Sequence, residues 1–305
     1  EDAAMTLNLS GLTAAQVTPF TEGGREVDLD WLPAHIEYLR DNGVNHILTL
    51  GTNGEGPLVG LHERKSVVEA VVKQSGMMRV LAGVGCLSMP DTIQAANDAL
   101  DAGADAIALL PSHFFPDADA RGLVDYFASV IESIPAQGRV LLYNIPPNTH
   151  LDIPDEVLLA LLDLFPDQLI GIKDSSGDPE RTRRYVEATA GSDFQVLAGS
   201  DHRHAELYQV GCQGGVSGMA NIAPMLAKTI LSVHRDTGDA SRVQRQLNEL
   251  RDLMLQFTRM GATKQLIAIV SGLPLTHTRP PNRDLVAEEV SALEAAVGRY
   301  LVGAT

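Results

Sequence analysis

The sequence predicts an α/β fold, a (β/α)8 TIM barrel with a C-terminal helical extension, and three observations predict it. Short runs rich in branched apolar residues alternate with helical stretches eight times between residues 11 and 236. Strand alternating with helix at this spacing implies parallel strands joined by crossovers, and eight such units close on themselves. After residue 236 the pattern turns to helices with no strand between them. An open doubly wound sheet would want a phosphate fingerprint after its first strand, and Pro19-Phe-Thr-Glu-Gly-Gly24 is not one.

In chain order, residues 14–18 read as the first strand and end at Pro19. Asp28 caps a helix that runs through Arg40 and stops at Gly43. The next strand is 46–50, followed by the glycine-rich loop 51–56 and a helix over 62–75. Strand 79–84 leads to helix 90–102, strand 104–110 to helix 122–134, and strand 139–143 to helix 154–164. Strand 168–173 is followed by helix 179–189, strand 194–198 by helix 202–210, and strand 214–217 by helix 223–235. Beyond it, 239–260, 264–270 and 284–301 read as helices. The chain thus divides into a tail at 1–10, the barrel at 11–236 and the extension at 237–305, which no low-complexity linker separates from the barrel.

Composition narrows the function classes. Apolar residues make up 45% of the 305 and charged residues 20%, ordinary usage for a folded chain. A formal charge of −16 repels phosphate backbones and anionic lipid, so neither nucleic acid nor a membrane is an expected partner, and a small anionic substrate would need local positive groups. Two cysteines, Cys86 and Cys212, make no disulfide framework and suit a reducing cytoplasm. No apolar run reaches the roughly 18 residues that span a bilayer, and the N-terminus lacks a basic-then-apolar leader pattern.

Barrel active sites lie where strands end. Lys173 is the first charge met by the apolar run 169–172, while Lys65, Lys73, Lys228 and Lys264 fall in segments that read as helices with solvated faces. Thr52, Asn53, His113, Tyr143, Asn144, Asp201, Val216 and Ser217 share the strand-end level. Taken by position alone, Lys173 is either a structural partner of an acid such as Asp174 or a nucleophile. A lysine nucleophile must shed its proton near neutral pH against a reference value of about 10.4, and burial in an apolar barrel mouth favours that. A neutral amine attacks a ketone to give a protonated imine, an electron sink that permits carbon–carbon cleavage without a metal. Tyr143, one strand earlier, could relay the protons if its hydroxyl is held by a partner such as Thr52. The loop Gly51-Thr-Asn-Gly-Glu-Gly56 matches neither nucleotide fingerprint and reads either as an anion nest or as a tight turn needing positive φ. His202 and His204 lie two apart in what reads as a solvated helix start, and no cluster has metal-ligand form, so neither metal nor cofactor is expected.

Gly51-Thr52-Asn53-Gly54-Glu55, Tyr143-Asn144-Ile145-Pro146, Gly171-Ile172-Lys173-Asp174-Ser175 and Gly215-Val216-Ser217-Gly218 come in the order and near the spacing of one family. From Gly11 through the C-terminal helices the chain resembles the dihydrodipicolinate synthase/N-acetylneuraminate lyase family of pyruvate-dependent class I aldolases. The resemblance implies a Schiff-base lysine at Lys173, a proton-relaying Tyr143, a pyruvate carboxylate held by Thr52 and Asn53, a backbone carbonyl at Val216 facing the site, and a homotetramer built from dimers. Two features depart from dihydrodipicolinate synthases. Asn148 stands where they carry an arginine, and Pro111-Ser-His113-Phe-Phe115 replaces the second tyrosine that they donate across a dimer interface.

Asn148 suits hydroxyl groups better than a second carboxylate, which arginine would grip bidentately. The expectation is a lyase acting on a hydroxylated 2-oxo acid such as a 2-keto-3-deoxy sugar acid. A 4-hydroxy-2-oxoglutarate aldolase, a 2-keto-3-deoxy acid dehydratase, a dihydrodipicolinate synthase and a catalytically silent 2-oxo-acid-binding barrel are its rivals. His113 and Asp201 are further candidate substrate contacts, with packing at a dimer interface the alternative for His113.

Overall fold

The structure, a computed structural model, describes residues 7–303. Eight parallel strands close into a barrel in sequence order: β1 (Leu12–Ala15), β2 (His46–Thr49), β3 (Arg79–Gly83), β4 (Ala106–Leu109), β5 (Val140–Asn144), β6 (Leu169–Asp174), β7 (Gln195–Ala198) and β8 (Gly214–Ser217). Helices α1 (Leu32–Asp41), α2 (Leu61–Ser75), α3 (Met89–Asp101), α4 (Ala120–Glu132), α5 (Pro146–Thr149), α6 (Asp155–Leu164), α7 (Pro179–Ala188), α8 (His204–Gln209) and α9 (Pro224–Thr237) connect and surround them. The extension comprises α10 (Ser241–Met254), α11 (Arg259–Ser271) and α12 (Ala287–Gly303). Among the described residues no helix is long and apolar enough to cross a membrane.

The strand period of two sorts each strand into an inner and an outer row. Ala15, Leu48, Leu81, Ala108, Leu141 and Val216 pack inside the barrel, while Ile47, Val80, Ile107, Leu142 and Val196 face the helices in the larger core. Leu9 joins the inner cluster, and Gln195 ties the segment down by accepting from Leu9 N at 2.7 Å and donating to the Leu7 carbonyl at 2.7 Å. Residues 7–10 of the expected tail therefore plug one end of the barrel, and residues 1–6 lie outside the described chain. Gly171 is required by closeness: a Cβ there would stand 2.3 Å from the Gln195 carbonyl oxygen.

Several expectations need correction. The first strand sits at Leu12–Ala15, because the chain leaves the sheet before Pro19, which has no N–H to donate. α1 starts at Leu32 without a side-chain cap, so Asp28 does not cap it and instead closes a turn with Trp31 N. The Pro-Pro pair starts the short helix α5, since a proline at the first helical position gives up an N–H that would have no partner anyway. The single helix expected over 239–260 is two, broken at residues 255–258. His204 is fully buried against Tyr208 rather than part of a solvated helix start.

The largest correction is Lys264. Its apparent solvated helix face is an interior one: the residue is 1% exposed, and its ammonium donates to Glu55 Oε1 at 2.6 Å, the Thr18 carbonyl at 2.7 Å and the His277 carbonyl at 2.5 Å. Glu55 also accepts from Arg279 N and Asn282 Nδ2. A buried pair tolerates desolvation only when its remaining lone pairs and protons are satisfied in this way. The pair fastens the 51–56 loop to the extension. Cys212 is buried and Cys86 half-buried, both as free thiols.

Candidate active site

Alternation places the chemistry. Leu141 and Ile172 fix the parity of β5 and β6, so Tyr143 and Lys173 point into the barrel mouth while Asn144 and Asp174 point out. Tyr143 and Lys173 are register partners across the two strands, and the Lys173 amine lies 3.8 Å from the centroid of the Tyr143 ring. Both are buried, at 3% and 4% exposure.

Outside the barrel, Asp174 accepts from Asn144 Nδ2 at 3.0 Å, Ser176 N at 3.0 Å, Ser176 Oγ at 2.9 Å and Thr182 Oγ1 at 2.6 Å. Asn144 further donates to Asp152 and accepts from Ile153 N, which knits the loop after β5 to the end of β6. The ion pair between Lys173 and Asp174 is thus not made, since adjacent strand residues face opposite ways.

The Tyr143 hydroxyl stands 3.0 Å from Thr52 Oγ1. Burial alone would push its pKa up, but the charge of Lys173 and hydrogen bonds with Lys173, Thr52 and Ser175 outweigh burial and hold the phenol below its ordinary value. Ser175 escaped the strand-end survey although it follows Lys173 by two residues and so shares its face.

The 51–56 loop resolves differently from either sequence reading of its glycines. None of Gly51, Gly54 and Gly56 has positive φ; Leu50 (φ 56) and Glu55 (φ 49) carry it instead. The glycines allow close backbone approach, for a Cβ on Gly56 would stand 2.0 Å from the Leu50 carbonyl oxygen and one on Gly54 2.9 Å from that of Gln16. The result delivers Thr52 and Asn53 to the barrel mouth.

A cavity of about 190 Å³ joins Thr52, Asn53, Tyr143, Asn148, Lys173, Ser175, Asp201, His202 and Val216, with Arg251 from α10 and Arg259 from α11 completing its wall. Asn53 accepts from Arg259 Nη2 at 3.1 Å, and the bare Cα of Gly218 leaves room for its amide. The Asp201 carboxylate is already engaged by Ser217 Oγ, Gly218 N at 3.0 Å and Met219 N at 3.3 Å, so it fastens the end of β8. His113 does not line the cavity; it is half-buried in the loop after β4, beside the exposed Phe114 and Phe115. The two arginines gave no sequence signal, because they reach the mouth from helices 78 and 86 residues after Lys173 rather than from a strand end. A larger groove of about 940 Å³, lined by Arg139, Asp163, Leu169 and Phe194, lies where β5, β6 and β7 begin and contains no lysine, cysteine or histidine.

The model of the dihydrodipicolinate synthetase family matches residues 8–299. An uncharacterized DapA-like lyase of Chloroflexus aurantiacus is 34% identical over 295 residues, 97% of this chain and 98% of that protein. A prophage protein of the dihydrodipicolinic acid synthase family from E. coli K12, solved in complex with pyruvate, superposes with a TM-score of 0.87 at 26% identity, over 98% of this chain and 99% of that one. A triple variant of Sulfolobus solfataricus 2-keto-3-deoxygluconate aldolase, in complex with L-2-keto,3-deoxy-galactonate, gives 0.87 at 26% identity, over 96% and 97%.

Proposed function

The chain belongs to the dihydrodipicolinate synthetase family, a family of lyases and aldolases, and from that membership we propose that it cleaves or forms a carbon–carbon bond in a hydroxylated 2-oxo acid through an imine on Lys173. The observation that carries the reading is the buried Lys173 amine lying over the Tyr143 ring, with the tyrosine hydroxyl bridged to Thr52. The two solved relatives named above, one holding pyruvate and the other a 2-keto-3-deoxy sugar acid, support a substrate of this class.

The substrate carboxylate sits against Thr52 and the amides of the 51–56 loop, with Asn53 and the Val216 carbonyl shaping the floor. The Lys173 amine, once it has given up its proton, attacks C2, and Tyr143 gives a proton to the departing oxygen, so that water leaves and a protonated imine remains. Loss of the C4 hydroxyl proton to the tyrosinate breaks the C3–C4 bond, whose electrons flow into the imine to give an enamine and release an aldehyde. Protonation at C3 and hydrolysis by water return pyruvate and the free lysine. The reverse direction condenses pyruvate with the aldehyde, and Asn148 offers its amide to the aldehyde's hydroxyls.

Incubation with 2-keto-3-deoxygluconate tests the reading. Pyruvate and glyceraldehyde are the expected products, whereas a dehydrated oxo acid formed without pyruvate would assign the chain to dehydration through the same imine. Tyr143→Phe removes the relay and is expected to lower kcat by about 10²- to 10⁴-fold. Because the phenol is held below its ordinary value near 10, the acid it supplies is lost as pH rises through that lowered value. The alkaline fall of the wild-type rate is therefore expected below pH 10 and is expected to vanish in Tyr143→Phe; a variant that keeps both rate and limb removes Tyr143 from the mechanism.

Assembly into a homotetramer is part of the proposal. Phe114 and Phe115 are 69% and 68% exposed and stack edge to face at 5.2 Å, and Ser112 links their loop to Leu87, itself 59% exposed. Such an apolar surface suits a second copy of this chain, and would set His113 beside the contact. The double substitution Phe114→Ser, Phe115→Ser is expected to lower the mass measured by light scattering. An unchanged mass would put the contact elsewhere.

A further inference from the structure

The charge lining the cavity is inverted relative to the chain. The protein carries −16 overall, yet three cations, Lys173, Arg251 and Arg259, line this one pocket against a single carboxylate, Asp201. That carboxylate is already bonded to Ser217 and to the amides of Gly218 and Met219.

Neither arginine is neutralised. Among the described residues the one salt bridge of Arg251 is to its chain neighbour Asp252, at 3.4 Å and with the carboxylate 71% exposed, a contact of little strength in water. Arg259 makes no salt bridge among the described residues and uses one donor on Asn53 Oδ1. Each guanidinium has five N–H groups, so most donors in this pair remain unassigned. Arg251 comes from α10 and Arg259 from the start of α11, beyond the break at residues 255–258, and both line the same cavity.

Arg259 is exposed and Arg251 partly so, so water screens their mutual repulsion, and an anion held between the two would lower it further. In the imine reading the carboxylate at C1 of a 2-oxo acid is held by Thr52 and the amides of the 51–56 loop, which leaves the guanidiniums, reaching the mouth from the extension, open to a different group. We propose, building on the imine reading above, that the aldehyde half of the substrate ends in a second anionic group, a carboxylate or a phosphate, held by Arg251 and Arg259. Planar guanidinium forks match both of those groups bidentately. The uncharged Asn148 then reads hydroxyl groups between the two anions, and the positive group missing from the loop after β5 is supplied by the helical extension.

The test uses three 4-hydroxy-2-oxo acids of matched carbon count, ending in a hydroxymethyl group, a carboxylate or a phosphate ester. At least one charged acid is expected to exceed the neutral one in kcat/KM by about 10- to 100-fold, the range of charge-assisted hydrogen bonds. Whichever charged acid is preferred identifies the anion. Arg251→Gln and Arg259→Gln are each expected to shrink the charged-to-neutral ratio at least about fivefold, with Arg251→Lys retaining part of it. Taking the ratio cancels general losses of stability or of grip on the pyruvate half. A neutral acid turned over as well as the charged ones, or ratios unmoved by both substitutions, overturns the inference while leaving the imine reading intact. Cleavage of none of the three despite a pyruvate adduct on Lys173 also overturns it. Absence of that adduct removes the imine reading with it.

Discussion

Lys173→Ala is expected to lose at least about 10⁴-fold in turnover, roughly 5.5 kcal/mol of barrier, because no other group in the cavity can form an imine. The fold is expected to survive. Lys173 has no salt-bridge partner among the described residues, so its removal strands no opposite charge, and the contact over the Tyr143 ring is worth only about 1–2 kcal/mol. Lys173→Arg separates charge from chemistry: it keeps a cation beside Tyr143 but has no nucleophilic amine, and it is expected to be as inactive as the alanine variant. Near-ultraviolet circular dichroism matching the wild type, together with lost turnover, is the predicted pair of results. Substantial activity in either variant would move the chemistry off this residue.

The second large effect lies away from the cavity, at the Lys264–Glu55 pair. Lys264→Met leaves the Glu55 carboxylate buried without its cation, and leaves the carbonyls of Thr18 and His277 without their donor. Breaking a buried pair in this way is expected to cost about 3–5 kcal/mol, read from urea midpoints. The double variant Glu55→Gln, Lys264→Met is expected to lose less than the sum of the single changes, since the two side chains share one network. Glu55 also follows Thr52 by three residues, so Glu55→Gln is expected to raise KM for the 2-oxo acid more than it lowers kcat. Stability of Lys264→Met within about 0.5 kcal/mol of wild type would place it with ordinary surface changes and contradict the account.

What the sequence disclosed follows from which signals are local. Eight strands and their helices were legible because burial on both faces leaves unbroken apolar runs, and the same parity that buries Leu141 and Ile172 sends Tyr143 and Lys173 into the mouth. Asp174 could be set apart from Lys173 by that rule, and Ser175 could have been added by it. Lys264 could not be recognised from its helix, because its partners are 209, 246 and 13 residues away. Arg251 and Arg259 were hidden for the same reason. Asp201 was found by position, but its bonds to the end of β8 depend on the loop after β7 folding over its neighbour. His113 sits at a strand end yet lines no part of the cavity in one chain, since the loop after β4 carries it toward the exposed phenylalanines.

The central claim is a covalent bond between pyruvate and one amine. Borohydride added to the protein with pyruvate should reduce the imine and add the mass of pyruvic acid less one oxygen atom, at a single site that peptide mapping places on Lys173, with no adduct on Lys173→Ala. No mass increase, or an adduct on another lysine, would contradict the account.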